Sequence, residues 1–184
     1  EPTSDQPVGG GEKQQSLKHY GIREADVERL RGLPHVRDIV LMRHVADFVA
    51  RGSARFEGTV LGTTDNFFGV VNLHVARGRG LCDSDSLDRK KVFVFGVDVA
   101  RTLFQTEDPL GQIVTVQSFA TGSIPYEVVG LLGEVLTAGA PAKGIASRNP
   151  NRDIYIQFDT ADMRYGTLKV KGTRSSWDAR RVEY

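Results

Sequence analysis

Apolar positions in this chain change their period every ten residues or so, and the changes outline its elements. Ile22, Val27, Leu30 and Leu33 in "IREADVERLRGLPHV" form a partial stripe at helical spacing. Glu24 and Asp26 fall in the first turn, where the helix dipole favours acids, and Gly32 with Pro34 ends the helix. Arg23 stands where a capping Ser or Thr is expected. Val36 to Ala50 follows as a strand of mixed pattern. "SARFEGTVLGTT" reads as a second strand, with Phe56, Thr59 and Leu61 inward and Glu57 outward. "TDNFFGVV" predicts one helical turn started by Thr64 or Asp65. Arg77 to Arg89 reads as a polar loop.

The second half is more sharply written. "KVFVFG" is a short strand of the fully buried type. In "VDVARTLF", Val99, Ala100, Leu103 and Phe104 share one helical face. "GQIVTVQSF" and "IPYEVVGLLGEV" predict an antiparallel hairpin turning at Thr121-Gly122-Ser123. Thr137 to Asn151 is a Gly/Ala/Pro-rich loop. "RDIYIQFD" is a strand, "TADMRYG" a short helical turn, and "TLKVKG" with "WDARRVEY" further strand material. No fixed-period repeat is present. Many strands with few, short helices and no βαβ alternation specify an α+β fold.

Composition narrows the function classes only a little. The chain has 184 residues and a net charge of +1, which points neither toward nor away from nucleic acid. One cysteine, Cys82, excludes an internal disulfide. No apolar run is long enough for a membrane helix. Residues 1–18, rich in Gly, Pro, Gln and Ser, read as a flexible lead-in from a longer chain, with membrane helices expected outside this piece.

Chemistry is hard to find. His19, His35, His44 and His74 stand alone, without a partner at metal-ligand spacing. Cys82 has no histidine close in sequence to act as its base. Asp83, Asp85 and Asp88 in "CDSDSLD" resemble the start of a calcium loop but lack its glycine and final glutamate, so Asx turns are the better reading. "GRG" and "GGG" are not phosphate loops. Trp177 reads as a packing anchor. A hydrolase built on Cys82 or on one of the three aspartates ranks below a binding or transmitting role. No catalytic residue, metal ligand or cofactor is expected.

One ordered set of motifs points further. Leu103-Phe104, Asp108-Pro109-Leu110-Gly111, Ile113 to Val116 and Tyr126 to Leu132 follow each other as helix end, acidic turn, strand and "YEVVGLL" strand. "VLGTTDNFFGVVNLHVARGRGL", "KVFVFGVDVA" and "RDIYIQFDTADMRYG" extend the set. Together, from Ile22 to Gly166, these motifs resemble the MacB-type periplasmic core domain of ABC-transporter permeases, a group that includes lipoprotein-release and FtsX-like proteins. His35 departs from the glycine usual in that group, and Gln157-Phe158 from its Pro-Leu pair.

The resemblance implies a two-lobed extracytoplasmic fold. A porter-like α+β lobe (19–50 and 167–184) would carry a strand-rich inserted lobe of the Sabre type (51–166). It implies a non-catalytic domain that passes movement, driven by cytoplasmic ATP hydrolysis through transmembrane helices, to a substrate or lipoprotein in the envelope. The implied location is the cell inner membrane, with this domain on its periplasmic side. The implied partners are the permease's own transmembrane helices, an ABC ATPase subunit or domain, a second protomer, and a periplasmic adaptor or lipoprotein client. Phe67 and Phe68, or the Thr137 to Asn151 loop, are the expected contact points. The competing expectation is a stand-alone periplasmic ligand- or peptide-binding module.

Overall fold

The computed structural model describes residues 24–118, 121–136, 148–165, 168–173 and 176–181. The lead-in 1–18, His19 and positions 137–147 of the second loop lie outside them. A first helix, α1 (Glu24–Arg31), buries Val27 but leaves Leu30 38% and Leu33 50% exposed, so the expected stripe is only partly used. The strand expected from Val36 begins later, at Met42. The strands β1 (Met42–Arg51) and β2 (Ala54–Thr63) pair antiparallel around Gly52, whose φ of +57° suits glycine.

The inward row expected in β2 is corrected by its surroundings. Phe56 and Val60 join one core cluster and Leu61 joins another, because alternate strand positions face opposite sides. Val60 to Thr63 are all buried, so the end of β2 is covered on both faces. Its partner β1 carries register shifts between His44 and Ala46 and between Ala46 and Phe48. Such bulges re-aim the side chains that follow.

Five more strands complete a seven-stranded sheet: β3 (Val75–Gly78), β4 (Val92–Phe95), β5 (Ile113–Ser118), β6 (Gly122–Leu132) and β7 (Ile154–Gln157). Their order is β3-β6-β4-β7-β2-β1-β5, and β5 also pairs with β6. Six strands therefore close into a ring. The long strand β6 makes this possible. Its first half pairs antiparallel with β5, and its second half pairs parallel with β4 and antiparallel with β3. The two halves meet at Glu127, and the half paired with β4 carries a register shift at Val128–Gly130. The β5–β6 turn uses Gly122 at φ +75°, within the triplet the sequence indicates.

Two cores result. On one face Phe93, Phe95, Tyr126 and Ile156 meet Val99, Leu103 and Phe104 of α4 (Val97–Phe104), the helix face read from sequence. On the other face Leu61, Val92, Val94 and Tyr155 are covered by the short helix α2 (Phe67–Val70) and by Leu81. Each fully buried side chain of this size contributes about 1.5–3 kcal/mol of transfer free energy.

The segment expected as a loop from Arg77 to Arg89 holds the end of β3 and the helix α3 (Asp83–Leu87). The last helix, α5 (Phe158–Tyr165), runs longer than the turn expected there. β8 (Leu168–Thr173) and β9 (Ser176–Arg181) pair as a separate antiparallel hairpin. The lobe boundary expected at Arg51 falls at the β1–β2 turn. Those two strands are hydrogen-bonded along most of their length. No helix among the described residues is long and apolar enough to cross a membrane.

Candidate functional site

The turn after α4 locks four elements. Gln105 takes φ +53° as the helix ends, and Pro109 is buried. Asp108 accepts the Leu110 N–H at 3.1 Å and the Arg77 guanidinium at 2.6 Å. The Leu110 amide first, and Arg77 second, hold its carboxyl below the ordinary range. The Gly111 N–H donates to Val128 O at 2.8 Å and seats β5 on β6. A Cβ on Gly78 would lie 2.2 Å from Val129 O and 2.9 Å from Leu110 Cδ2. The acidic turn is thus a joint between α4, β3, β5 and β6.

A second cluster gathers around Cys82. The Asp85 side chain is fully buried. It accepts Arg79 Nη1 at 2.5 Å and Nη2 at 2.8 Å, the Cys82 N–H at 3.2 Å and Cys82 Sγ at 3.1 Å. Burial pushes its pKa up, and the donors from Arg79 and Cys82 outweigh that push, so the net direction is down. The short helix α3 is capped by this arrangement, with Asp85 reaching back to the N–H of Cys82. Cys82 Sγ also meets Ser84 Oγ at 3.1 Å and Arg79 Nη1 at 3.3 Å. Among the described residues its partners are acid, hydroxyl and arginine.

The three aspartates of the loop do not converge. Asp85 turns inward to Arg79, Asp88 pairs with Lys90 at 2.9 Å, and Asp83 meets Asp65, whose carboxyl raises the pKa of Asp83 through a shared hydrogen bond. Among the described residues no three His, Cys, Asp or Glu side chains group to hold a metal. Ser86 hydrogen-bonds to Asp159 and ties α3 to α5. His35 is exposed, His44 pairs with Asp47 at 2.6 Å, and the side chain of His74 lies exposed at the edge of β3.

Asp65 leads to a surface groove. A groove of about 680 Å³ is lined by Arg37, Asp38, Asp65, Asn66, Gly69 and Val70. Asn66 fixes its wall, donating to Ile39 O at 3.2 Å and accepting from Thr64 Oγ1 at 2.7 Å. Phe67 and Phe68, the expected contact residues, sit behind this groove. They are 3% and 7% exposed, and their rings lie 5.1 and 5.4 Å from that of Tyr155. Adjacent residues both point inward because α2 is a single turn that wraps the Tyr155 ring. The apolar surface at this corner belongs to Val70, which is 50% exposed.

Sequence reasoning missed the residues just before β7. Asp153 is 4% exposed, with Tyr155 Oη 3.4 Å away. Burial raises its pKa to about 6, while Arg148 and Tyr155 draw it down. Beside it Asn151 accepts the Val135 N–H at 2.9 Å and donates to Val135 O at 2.8 Å. The available signal was an acid at the mouth of the all-apolar run "IYI".

Residues 3–182 match the family described as the MacB-like periplasmic core domain. Over 144 residues the chain is 24% identical to the ABC transporter permease YknZ of Bacillus subtilis, covering 78% of this chain and 33% of that protein. Over 149 residues it is 26% identical to the pyoverdine export ATP-binding/permease protein PvdT of Pseudomonas aeruginosa, covering 79% and 20%. The chain therefore spans between a fifth and a third of these relatives' length. The extracellular domain of YknZ superposes with a TM-score of 0.63 at 26% identity, covering 79% of this chain and 67% of that one. The periplasmic region of MacB from Actinobacillus actinomycetemcomitans shares the fold, with a TM-score of 0.62 at 16% identity, covering 97% and 71%.

Proposed function

Since the chain belongs to the family of MacB-like periplasmic core domains, we propose that it works as the extracytoplasmic, non-catalytic domain of an ABC-transporter permease, and that its work is mechanical. In this reading ATP hydrolysis in the cytoplasm moves transmembrane helices, and these move the domain against a substrate or lipoprotein in the envelope. The observation that carries the reading is the family match over 3–182, joined by the 26% identity to a solved extracellular transporter domain of the same fold. The matched portion of each solved domain is described as extracellular or periplasmic, which supports a place on the outer side of the inner membrane.

The ATPase is a subunit or a fused domain. The name of PvdT, an ATP-binding/permease protein, supports such an association. A second protomer, an adaptor and a lipoprotein client belong to the proposal as further partners. So does the division into a porter-like lobe (19–50 and 167–184) and a Sabre-like lobe (51–166). Contact at the α2 corner would be made through Val70 and the groove, with Phe67 and Phe68 supporting them from behind. The family match does not favour the stand-alone ligand-binding module.

Topology tests the reading. Leu87 is 83% exposed, so Leu87→Cys in a Cys82→Ser background offers one reactive thiol. In the full-length permease, a membrane-impermeant maleimide should label it in cells whose outer barrier is removed and whose inner membrane is intact. Labelling only after the inner membrane is opened would overturn the reading.

A further inference from the structure

The groove beside α2 takes its two walls from different parts of the chain. Arg37 and Asp38 belong to the segment that leads into β1, while Asp65, Asn66, Gly69 and Val70 belong to α2 and the turn before it. The leading segment, 37–41, lies outside the strands and is fastened unevenly. At Leu41 the carbonyl accepts both the Thr64 N–H at 3.3 Å and the Thr63 hydroxyl at 3.2 Å, and Val40 packs on the second core. At Ile39 the attachment thins to one hydrogen bond, donated by Asn66 Nδ2 to Ile39 O at 3.2 Å. Arg37 and Asp38 are exposed and pair with each other at 3.5 Å. Among the described residues no ion pair crosses the groove from one wall to the other. Further upstream Leu33 and Val36 are exposed as well.

Asn66 is itself diverted from its usual task. It stands just before a helix of one turn, where an asparagine ordinarily turns its side-chain oxygen onto that helix's own amides. Here it makes no such bond. The oxygen instead accepts the Thr64 hydroxyl at 2.7 Å, which fixes the plane of the amide, and the nitrogen reaches across to Ile39. The side chain thus ties the two walls together at the cost of the cap. The α2 wall has an anchor of its own, because Phe67 and Phe68 pack around Tyr155. The opposite wall depends on the Asn66 bond and on its root at Leu41.

We propose that 37–41 is a strap along the groove, hinged at Leu41 and clasped by Asn66. With the clasp made, the groove keeps the width described above. With the clasp broken, Arg37 to Ile39 lift away, Leu41 stays seated, and the groove opens on that side while α2 holds its place. This inference does not depend on the transport reading. A neutral hydrogen bond from a side chain to a backbone carbonyl shifts an equilibrium by about fivefold. Loss of the Nδ2 donor should therefore raise the ratio of open to closed strap about fivefold.

Amide relaxation dispersion by NMR reads that ratio residue by residue, on the microsecond-to-millisecond scale of segment opening. In the wild type the amides of Arg37, Asp38 and Ile39 should share one exchange process that is absent from Met42 and Arg43. Asn66→Asp keeps the size of the side chain and the bond from Thr64 and removes the donor. It should raise the open-to-closed ratio at 37–39 about fivefold. Asn66→Ala removes the same donor without adding a charge and should match it. In both variants the amides of Gly69 and Val70 should keep their wild-type profiles, which separates a lifted strap from a general loosening of the corner. Level profiles at 37–39 in all three proteins overturn the proposal, and so does exchange that spreads equally to Met42 and to the α2 amides.

Discussion

Arg79→Ala is the substitution that most exposes how the loop after β3 is held. The Asp85 carboxylate is sealed from solvent and has four donors, two of them from Arg79. The Arg79 side chain is itself 46% exposed, so a half-hydrated cation serves a dry anion. Removing one partner of a buried pair costs about 3–5 kcal/mol, because the other charge is left uncompensated. The two Cys82 donors that remain place the loss near the lower end, at about 3 kcal/mol. Arg79→Lys keeps the charge and loses the two-pronged geometry, for about 1–2 kcal/mol. Urea titration followed by circular dichroism reads these values. With a slope of about 2 kcal/mol/M, the Arg79→Ala midpoint should fall by about 1.5 M. Adding Asp85→Asn to Arg79→Ala should cost far less than the sum of the two, since no anion then needs the arginine. The folded pKa of Asp85 is depressed, so its stabilisation is complete above the unfolded aspartate value of 3.8 and is lost as pH falls through the folded value. Wild type and Asp85→Asn should accordingly converge in stability only in strong acid. A loss below about 1 kcal/mol for Arg79→Ala, or strict additivity in the double variant, would refute the reasoning.

Gly96→Ala should destabilise by about 2–3 kcal/mol, because its Cβ would meet backbone atoms that cannot rotate away; an unchanged melting temperature would contradict the packing described. Phe67→Ala should cost about 3–5 kcal/mol as a buried aromatic. Val70→Asp, on the exposed side of the same turn, should stay within about 0.5 kcal/mol, while being the variant that weakens any contact at the groove in the full permease. If thermal denaturation ranks these two substitutions the other way, the assignment of packing and contact at α2 fails.

What could be read in advance depended on how local its cause was. The α4 face, the buried run of β4 and the β5–β6 hairpin were legible because their signals lie within one element: a 3.6-residue stripe, four consecutive apolar residues, a glycine at positive φ. The facing of β2 was not, since bulges in β1 and cover on both sides decide it. Ring closure depends on β6 changing partners at Glu127, which no alternation announces. "GRGLCDSDSLDRK" reads as solvated loop because its charged residues outnumber its apolar ones. One of them, Asp85, is buried as a cap three residues after Cys82, and that spacing was the available clue. Phe67-Phe68 suggested a contact surface, yet a single-turn helix around Tyr155 takes both rings inward. The family was legible by a different route, the order of motifs that this chain shares with MacB-like periplasmic core domains.

The proposed role is movement, and that is the property to measure. In the full-length permease with the proposed ATPase, reconstituted in lipid, spin labels at Leu87→Cys in a Cys82→Ser background report the separation of this domain in the two proposed protomers by pulsed electron resonance. The account predicts that the distance distribution differs between the nucleotide-free and vanadate-trapped states. A distribution that stays the same while ATP is hydrolysed and substrate is exported would contradict it.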